Sequence, residues 1–267
     1  MSTSDHNHIE TEELWKRALE QNLFPGDLII EIGSFFLDSP YHSGTLETAG
    51  REKLEINLSA FDCMTFVETV LAAAHCTAAG TLTPRHFQKK LKYIRYRQGK
   101  IRGYASRLHY FTDWLRDNEQ KNILKDVTSL LEGSSIRKTI NFMTVHHHFY
   151  DALKNPKTFA EIQKVEKALS KETFCVIGKS QVARRKYAIQ QGDVIAFATG
   201  QEGLDVAHVG FAVRQGKKLR LLHASSKAGA VVISPETISE YLKSHKDFTG
   251  ILVARFSPAG NPMPPEA

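Results

Sequence analysis

From residue 190 onward the chain changes character. Val194 to Thr199, Val206 to Val213, Leu219 to His223, Val231 to Ser234 and Gly250 to Phe256 are short apolar runs parted by glycine and charged turns. Runs of this length suit strands, and with a single helix among them, Pro235 to Lys243, they predict an antiparallel sheet. Such a sheet must cover an apolar face, and the first half of the chain supplies helices for it.

After a polar leader, Met1 to Glu10, the segment Thr11 to Asn22 carries Leu14, Trp15, Ala18 and Leu19 at helical spacing, and Pro25-Gly26 stops it. A second helix is expected around Asp27 to Leu37. The alternation in Lys53 to Leu58 reads as a strand. Thr65 to Ala79 places Phe66, Val67, Val70, Leu71 and Ala74 on one stripe and predicts a central buried helix. Thr83-Pro84 is an N-cap with proline at the first helical position, opening a basic amphipathic helix through about Arg97. Another helix is expected from His109 to Asn118. Further on, a short strand near Asp126 to Thr128 and helices at Phe149 to Leu153 and Phe159 to Leu169 are expected. The fold class is therefore α+β: N-terminal helices packed on a small antiparallel sheet, with helical insertions. We expect one domain over 11–257, helical to about 170 and β-rich from about 171, with a tail at 258–267.

At 267 residues, 42% hydrophobic and 24% charged, the chain can bury a real core and is no disordered tract. The net charge of +6 favours anionic partners. Its basic residues are scattered, however, and the densest stretch, Lys89 to Arg107, lies in no recognised nucleic-acid module, so no nucleic-acid partner is expected. No segment approaches the roughly 18 apolar residues of a membrane span. The leader lacks the apolar region of a signal peptide, so the chain as read is cytoplasmic, or periplasmic if a presequence was removed.

Three cysteines, Cys63, Cys76 and Cys175, are too few and too far apart for a disulfide framework or a Cys-rich zinc site. Taken alone, each reads as a small buried residue. Cys63 differs in standing where a helix begins, because the positive end of the helix and its free N–H groups favour a thiolate. Asp62 before it suits a helix cap.

A nucleophilic cysteine also needs a base. His208 interrupts the apolar strand Asp205-Val206-Ala207-His208-Val209-Gly210-Phe211, where it can face the helix of Cys63, and the glycine two residues on permits a close neighbour. His223 ends the next strand, in Leu222-His223-Ala224, so adjacent strands would set the two rings side by side, the second orienting the first. His146-His147-His148 suggests metal, but consecutive residues do not converge on one ion, and neither a metal nor a cofactor is expected.

Four elements in order, Ser39-Pro40-Tyr41, Phe61-Asp62-Cys63-Met64-Thr65-Phe66-Val67-Glu68, His208-Val209-Gly210 and His223-Ala224, resemble the NlpC-type cysteine peptidase superfamily. Ser106-Arg107-Leu108-His109-Tyr110 and Gly203-Leu204-Asp205 are similar to its AmiA-like branch of N-acetylmuramoyl-L-alanine amidases, and the likeness runs from about Ile30 to Arg255. Ordinary members of the superfamily have a small apolar residue or glycine after Asp-Cys-Ser. The Met64-Thr65-Phe66 found here departs from that pattern and favours the amidase branch over γ-D-glutamyl endopeptidases.

The resemblance implies a papain-like core with Cys63 as nucleophile, His208 as general base and His223 as the third, orienting member. The implied substrate is a peptidoglycan fragment cut between N-acetylmuramic acid and L-alanine. The Cys63 N–H and the Tyr41 hydroxyl are candidates to stabilise the oxyanion, Tyr41 being equally readable as packing. Arg107 and His109 are candidates to hold substrate carboxylate or sugar, or to pair with the chain's own acids. Asp205 either holds substrate or fixes a turn. Rival readings are an endopeptidase or acyltransferase on the same fold, and an inactive module that binds cell-wall fragments.

Overall fold

The computed structural model describes residues 23–48 and 50–258. The expected leader at 1–10, the helix at Thr11 to Asn22 and nearly all of the tail lie outside the described residues.

The helices are α1 Pro25–Phe35, α2 Cys63–Ala78, α3 Pro84–Arg95, α4 Phe111–Gln120, α5 Phe142–Val145, α6 Pro156–Leu169, α7 Val182–Arg185 and α8 Ile238–Ser244. The strands are β1 Leu124–Asp126, β2 Ser134–Arg137, β3 Thr173–Gly178, β4 Val194–Thr199, β5 Val206–Gln215, β6 Lys218–Ser225, β7 Ala230–Thr237 and β8 Phe248–Phe256. They form one antiparallel sheet in the order β2-β3-β8-β4-β5-β6-β7, with β1 beside the far end of β8. The α+β class and the antiparallel sheet agree with the sequence reading.

Local chemistry explains the helix starts. Proline occupies the first turn of α1, α3 and α6, where a missing N–H costs nothing, and Thr83 and Asn155 cap the last two through side-chain oxygens. Two expectations are corrected. Lys53 to Leu58 forms no strand: the Lys53 carbonyl accepts from the Tyr96 hydroxyl (2.9 Å) and the Glu55 carbonyl from Arg95 Nη1 (2.5 Å), so side chains take the place of a ladder. Phe149 to Leu153 is two 3₁₀ turns, His147–Phe149 and Asp151–Lys154, instead of an α-helix.

The sheet carries a core on each face. On one, α1 and α2 pack through Ile29, Ile32, Phe66, Val67 and Val70 against Val209, Phe211 and Leu222. Phe66 has no exposed surface and makes edge contacts with Phe36, Phe61 and Phe211 at ring separations of 6.5, 5.9 and 5.9 Å. Cutting such a ring to alanine costs about 3–5 kcal/mol, so this cluster fixes where α2, and with it Cys63, meets the sheet. On the opposite face α8 packs Ile238 and Leu242 against Ile195, Phe197, Ala212 and Leu221. A third cluster, around Tyr110, Ile140, Met143 and Ile162, seats α5 and α6 beside the start of α4.

Candidate active site

Cys63 is the first residue of α2. Asp62 caps the helix: its Oδ1 accepts from the N–H of Met64 (3.0 Å) and Thr65 (2.7 Å), while Thr65 Oγ1 accepts from the Asp62 N–H (2.9 Å). The expected capping role of Asp62 is what the structure contains. The N–H groups of Val209, Cys63 and Met64 face the Cys63 sulfur and favour its anion. Burial nevertheless dominates, and with the nearby Asp62 charge it pushes the thiol up to about 12. A helix start alone therefore does not make a thiolate here.

His208 pairs with Phe197 across the β4–β5 ladder, and a register shift just before it leaves Ala207 unpaired. His208 thus shares the face of Phe197 and α8, whereas α2 lies on the other face. The expected face-to-face placement of imidazole and helix is corrected: Cys63 stands at the tip of α2 beside the first residues of β5, with the Val209 N–H as the link.

The two histidines do come together. His208 Nε2 lies 2.6 Å from His223 Nδ1, with ring centroids 4.8 Å apart at 81°. Burial and then His223 lower His208 to about 3, and burial and His245 lower His223 to about 4. At neutral pH both imidazoles are uncharged, as a proton acceptor must be.

An aromatic wall backs the pair. Tyr241 on α8 lies 5.9 Å from the His208 ring and 5.3 Å from the His223 ring, Phe197 is 6.0 Å from His208, and His245 and Phe248 close the group. Burial and then the Cys63 charge push the Tyr241 hydroxyl up to about 12, which sets it within the field of the sulfur. The sequence reading missed Tyr241. Its spacing from Ile238 and Leu242 is that of an ordinary apolar helix face, so only the tertiary contact distinguishes it.

Tyr41 also belongs here. Its N–H donates to the Gly229 carbonyl (2.8 Å) and it bridges to Phe61, while burial, then Cys63 and Asp62, raise its hydroxyl. Arg107 and His109 are engaged with their own chain. Arg107 donates to Glu47 Oε1 (2.7 Å) and the Leu46 carbonyl (3.0 Å) and lies 3.4 Å from Glu52. His109 Nε2 meets the Tyr104 carbonyl at 3.0 Å, and burial, helped by Arg107, lowers the ring to about 3.

Asp205 is 1% exposed, and its carboxylate is engaged with its own chain. Its Oδ2 accepts from the Thr112 N–H (2.7 Å) and hydroxyl (2.8 Å) and its Oδ1 from the Val206 N–H (2.8 Å). The preceding Gly203, at φ 75°, gives its carbonyl to the N–H groups of Asn141 and Phe142, both at 3.1 Å.

The three consecutive histidines diverge: His146 stacks on Phe142 and Phe149, His147 bonds the Thr144 carbonyl, and His148 packs on Phe149. Among the described residues no three His, Cys, Asp or Glu side chains are grouped to hold a metal ion. Among them also, no helix is long and apolar enough to cross a membrane.

The AmiA-like family model, described as N-acetylmuramoyl-L-alanine amidase-like, matches residues 31–251. A solved N-acetylmuramoyl-L-alanine amidase from Bacteroides uniformis is 38% identical at a TM-score of 0.84, the match covering 87% of this chain and 99% of that one. A Bacteroides fragilis structure, named as a proposed xylanase, is 40% identical at 0.79, covering 84% and 99%. A Legionella pneumophila structure, 24% identical at 0.71 and covering 96% and 97%, shares the fold. No curated protein matches the chain.

Proposed function

The chain belongs to the AmiA-like family of N-acetylmuramoyl-L-alanine amidase-like proteins, and we propose that it is a cysteine hydrolase on a papain-like, NlpC-type core. In this reading it cuts the amide between N-acetylmuramic acid and L-alanine in peptidoglycan fragments, anhydro forms included, and 11–257 is one catalytic unit.

The observation that carries the reading is the 2.6 Å contact of His208 with His223 on the strand whose Val209 N–H meets the Cys63 sulfur. With His208 Nε2–H donating to His223 Nδ1, His208 Nδ1 keeps its lone pair for the thiol proton. A thiol near 12 and an imidazole near 3 are both neutral, so in this reading the proton moves to His208 as sulfur attacks the lactyl carbonyl. The C–S bond forms, the oxyanion takes the Cys63 N–H and the Tyr41 hydroxyl as donors, and the proton on His208 passes to the departing L-alanine amine as the C–N bond breaks. Water then hydrolyses the thioester, His208 again acting as base. Arg107 and His109 enter as contacts for the stem peptide or sugar.

The xylanase name of one similar structure does not suit this site. Glycoside hydrolysis draws on two carboxyl groups flanking the bond, whereas here the carboxylate next to Cys63, Asp62, is spent as a cap and two imidazoles pair on the neighbouring strands.

The test is incubation with defined muropeptides beside Cys63→Ala, with products read by mass spectrometry. Free stem peptide from the wild type alone is expected. Unchanged release by Cys63→Ala overturns the cysteine mechanism, and a cut within the stem makes the protein an endopeptidase.

A further inference from the structure

Beside α2 a carboxylate already sits in a built cradle. The Arg107 side chain is 5% exposed, and its guanidinium lies 4.8 Å over the Tyr104 ring. Arg107 Nη2 donates to Glu47 Oε1 (2.7 Å) and the Tyr104 hydroxyl to Glu47 Oε2 (3.0 Å), so each oxygen has its own donor. The cradle is held from behind. The His109 ring packs on Tyr104 at 4.5 Å with Nε2 on the Tyr104 carbonyl, and Glu52 lies 3.4 Å from Arg107 Nε with the Tyr96 hydroxyl donating to it (2.7 Å). The buried Arg107 Nε makes no hydrogen bond and has Glu52 as its ion-pair partner.

The occupant is held differently from the cradle. Glu47 lies in the stretch between Tyr41 and Phe61, where the described residues form no helix and no strand ladder, and its side chain is 39% exposed. Water reaches Glu47, so a second carboxylate can compete for its donors, whereas Arg107 has nowhere to go. Arg107 carries one positive charge against Glu47 and Glu52, so a further anion enters only as Glu47 leaves. The Arg107 charge is felt at Glu68, on the helix that Cys63 begins.

We propose that Arg107 and Tyr104 form a subsite for a carboxylate of the stem peptide, and that Glu47 fills it in the empty protein and is displaced when substrate binds. The identity of the ligand as a stem peptide rests on the amidase reading.

The experiment is calorimetric titration of the full chain carrying Cys63→Ala with a stem tripeptide bearing free carboxylates and with its fully amidated form. Added Glu47→Ala should tighten the free-carboxylate form about 5- to 10-fold and leave the amidated form unchanged. Glu47→Gln, which keeps the shape, should move the same way and serves if the alanine variant folds poorly. Arg107→Lys, which cannot keep one nitrogen on the carboxylate and another on the Leu46 carbonyl, should weaken the free form at least about tenfold. If Glu47→Ala shifts the two forms equally, or lowers the melting temperature without changing their ratio, Glu47 is a structural latch and the proposal falls. Muropeptide turnover by the wild type decides the amidase reading separately. No turnover, with binding still responsive to Glu47, removes the reading and leaves the subsite.

Discussion

His223 leans across Gly210: a methyl group built on Gly210 would stand 2.8 Å from His223 Cβ and 2.7 Å from the Leu222 carbonyl oxygen. Neither distance is tolerable between real atoms, so the glycine is what lets the β6 histidine reach along β5 to His208. In Gly210→Ala the added carbon must push His223 away and lengthen the 2.6 Å contact.

The first prediction follows from that contact. Losing an orienting partner typically costs about 10- to 100-fold in activity, so Gly210→Ala should lower kcat by that order with KM little changed. Overpacking should cost about 1–3 kcal/mol on unfolding. Steady-state kinetics and urea denaturation read both, and a kcat equal to wild type would show that the placement of His223 does not matter.

That glycine was legible as a permit for close approach, as were the β-rich second half, the caps at Asp62 and Thr83 and the pairing of the strand histidines. Capping is local physics and survives folding. What escaped depends on partners far along the chain. Lys53 to Leu58 has the alternation of a strand, but Arg95 and Tyr96 reach its carbonyls first. Thr173–Gly178 joins the sheet through β8, which lies more than 70 residues away and gives no local sign. Which face His208 takes was set by a register shift at Ala207 that no periodicity announces.

A second prediction concerns acid pH. Burial and His223 depress His208 to about 3, and a general base must be neutral to accept a proton. The acid limb of kcat/KM should therefore lie below pH 5, where an ordinary histidine near 6.5 would already have cut activity severely. A profile from pH 4 to 8, taken where the protein remains folded, decides it. A limb at 6.5 would mean that His208 is not the base or is not desolvated.

The third prediction is a stability slope. His75 on α2 is 3% exposed, lies 3.0 Å through Nε2 from the Ile123 carbonyl, and is lowered to about 4 by burial and by Lys90. The unfolded chain takes up its proton near 6.5 and the folded chain only near 4, so the stabilisation is complete above 6.5 and is lost as pH falls through this window. The loss approaches about 3 kcal/mol. Urea unfolding at pH 7.5 and 4.5 should show it, and His75→Gln, which does not titrate, should show a drop smaller by about that amount. An identical drop in the two proteins would assign the slope to other groups.

The fourth prediction separates two meanings of Asp205. Tyr110, at the N-cap of α4, makes no side-chain cap, and the free N–H of Thr112 is met instead by a carboxylate 93 residues downstream. This bond ties α4 to the lead-in of β5, three residues before His208, so Asp205 acts by holding the strand in place. Asp205→Ala should cost about 0.5–2 kcal/mol as a lost cap, and more where the Thr112 hydroxyl is left buried without a partner. Asp205→Asn keeps one acceptor and should lose less. Combined with Thr112→Val, the stability losses should fall short of additive, the sign of a direct contact. In turnover the alanine variant should lower kcat and spare KM, because the Asp205 carboxylate is spent on Thr112 and Val206 and acts through the strand that carries His208. A raised KM with unchanged kcat and unchanged stability would instead make Asp205 a substrate contact and refute the cap.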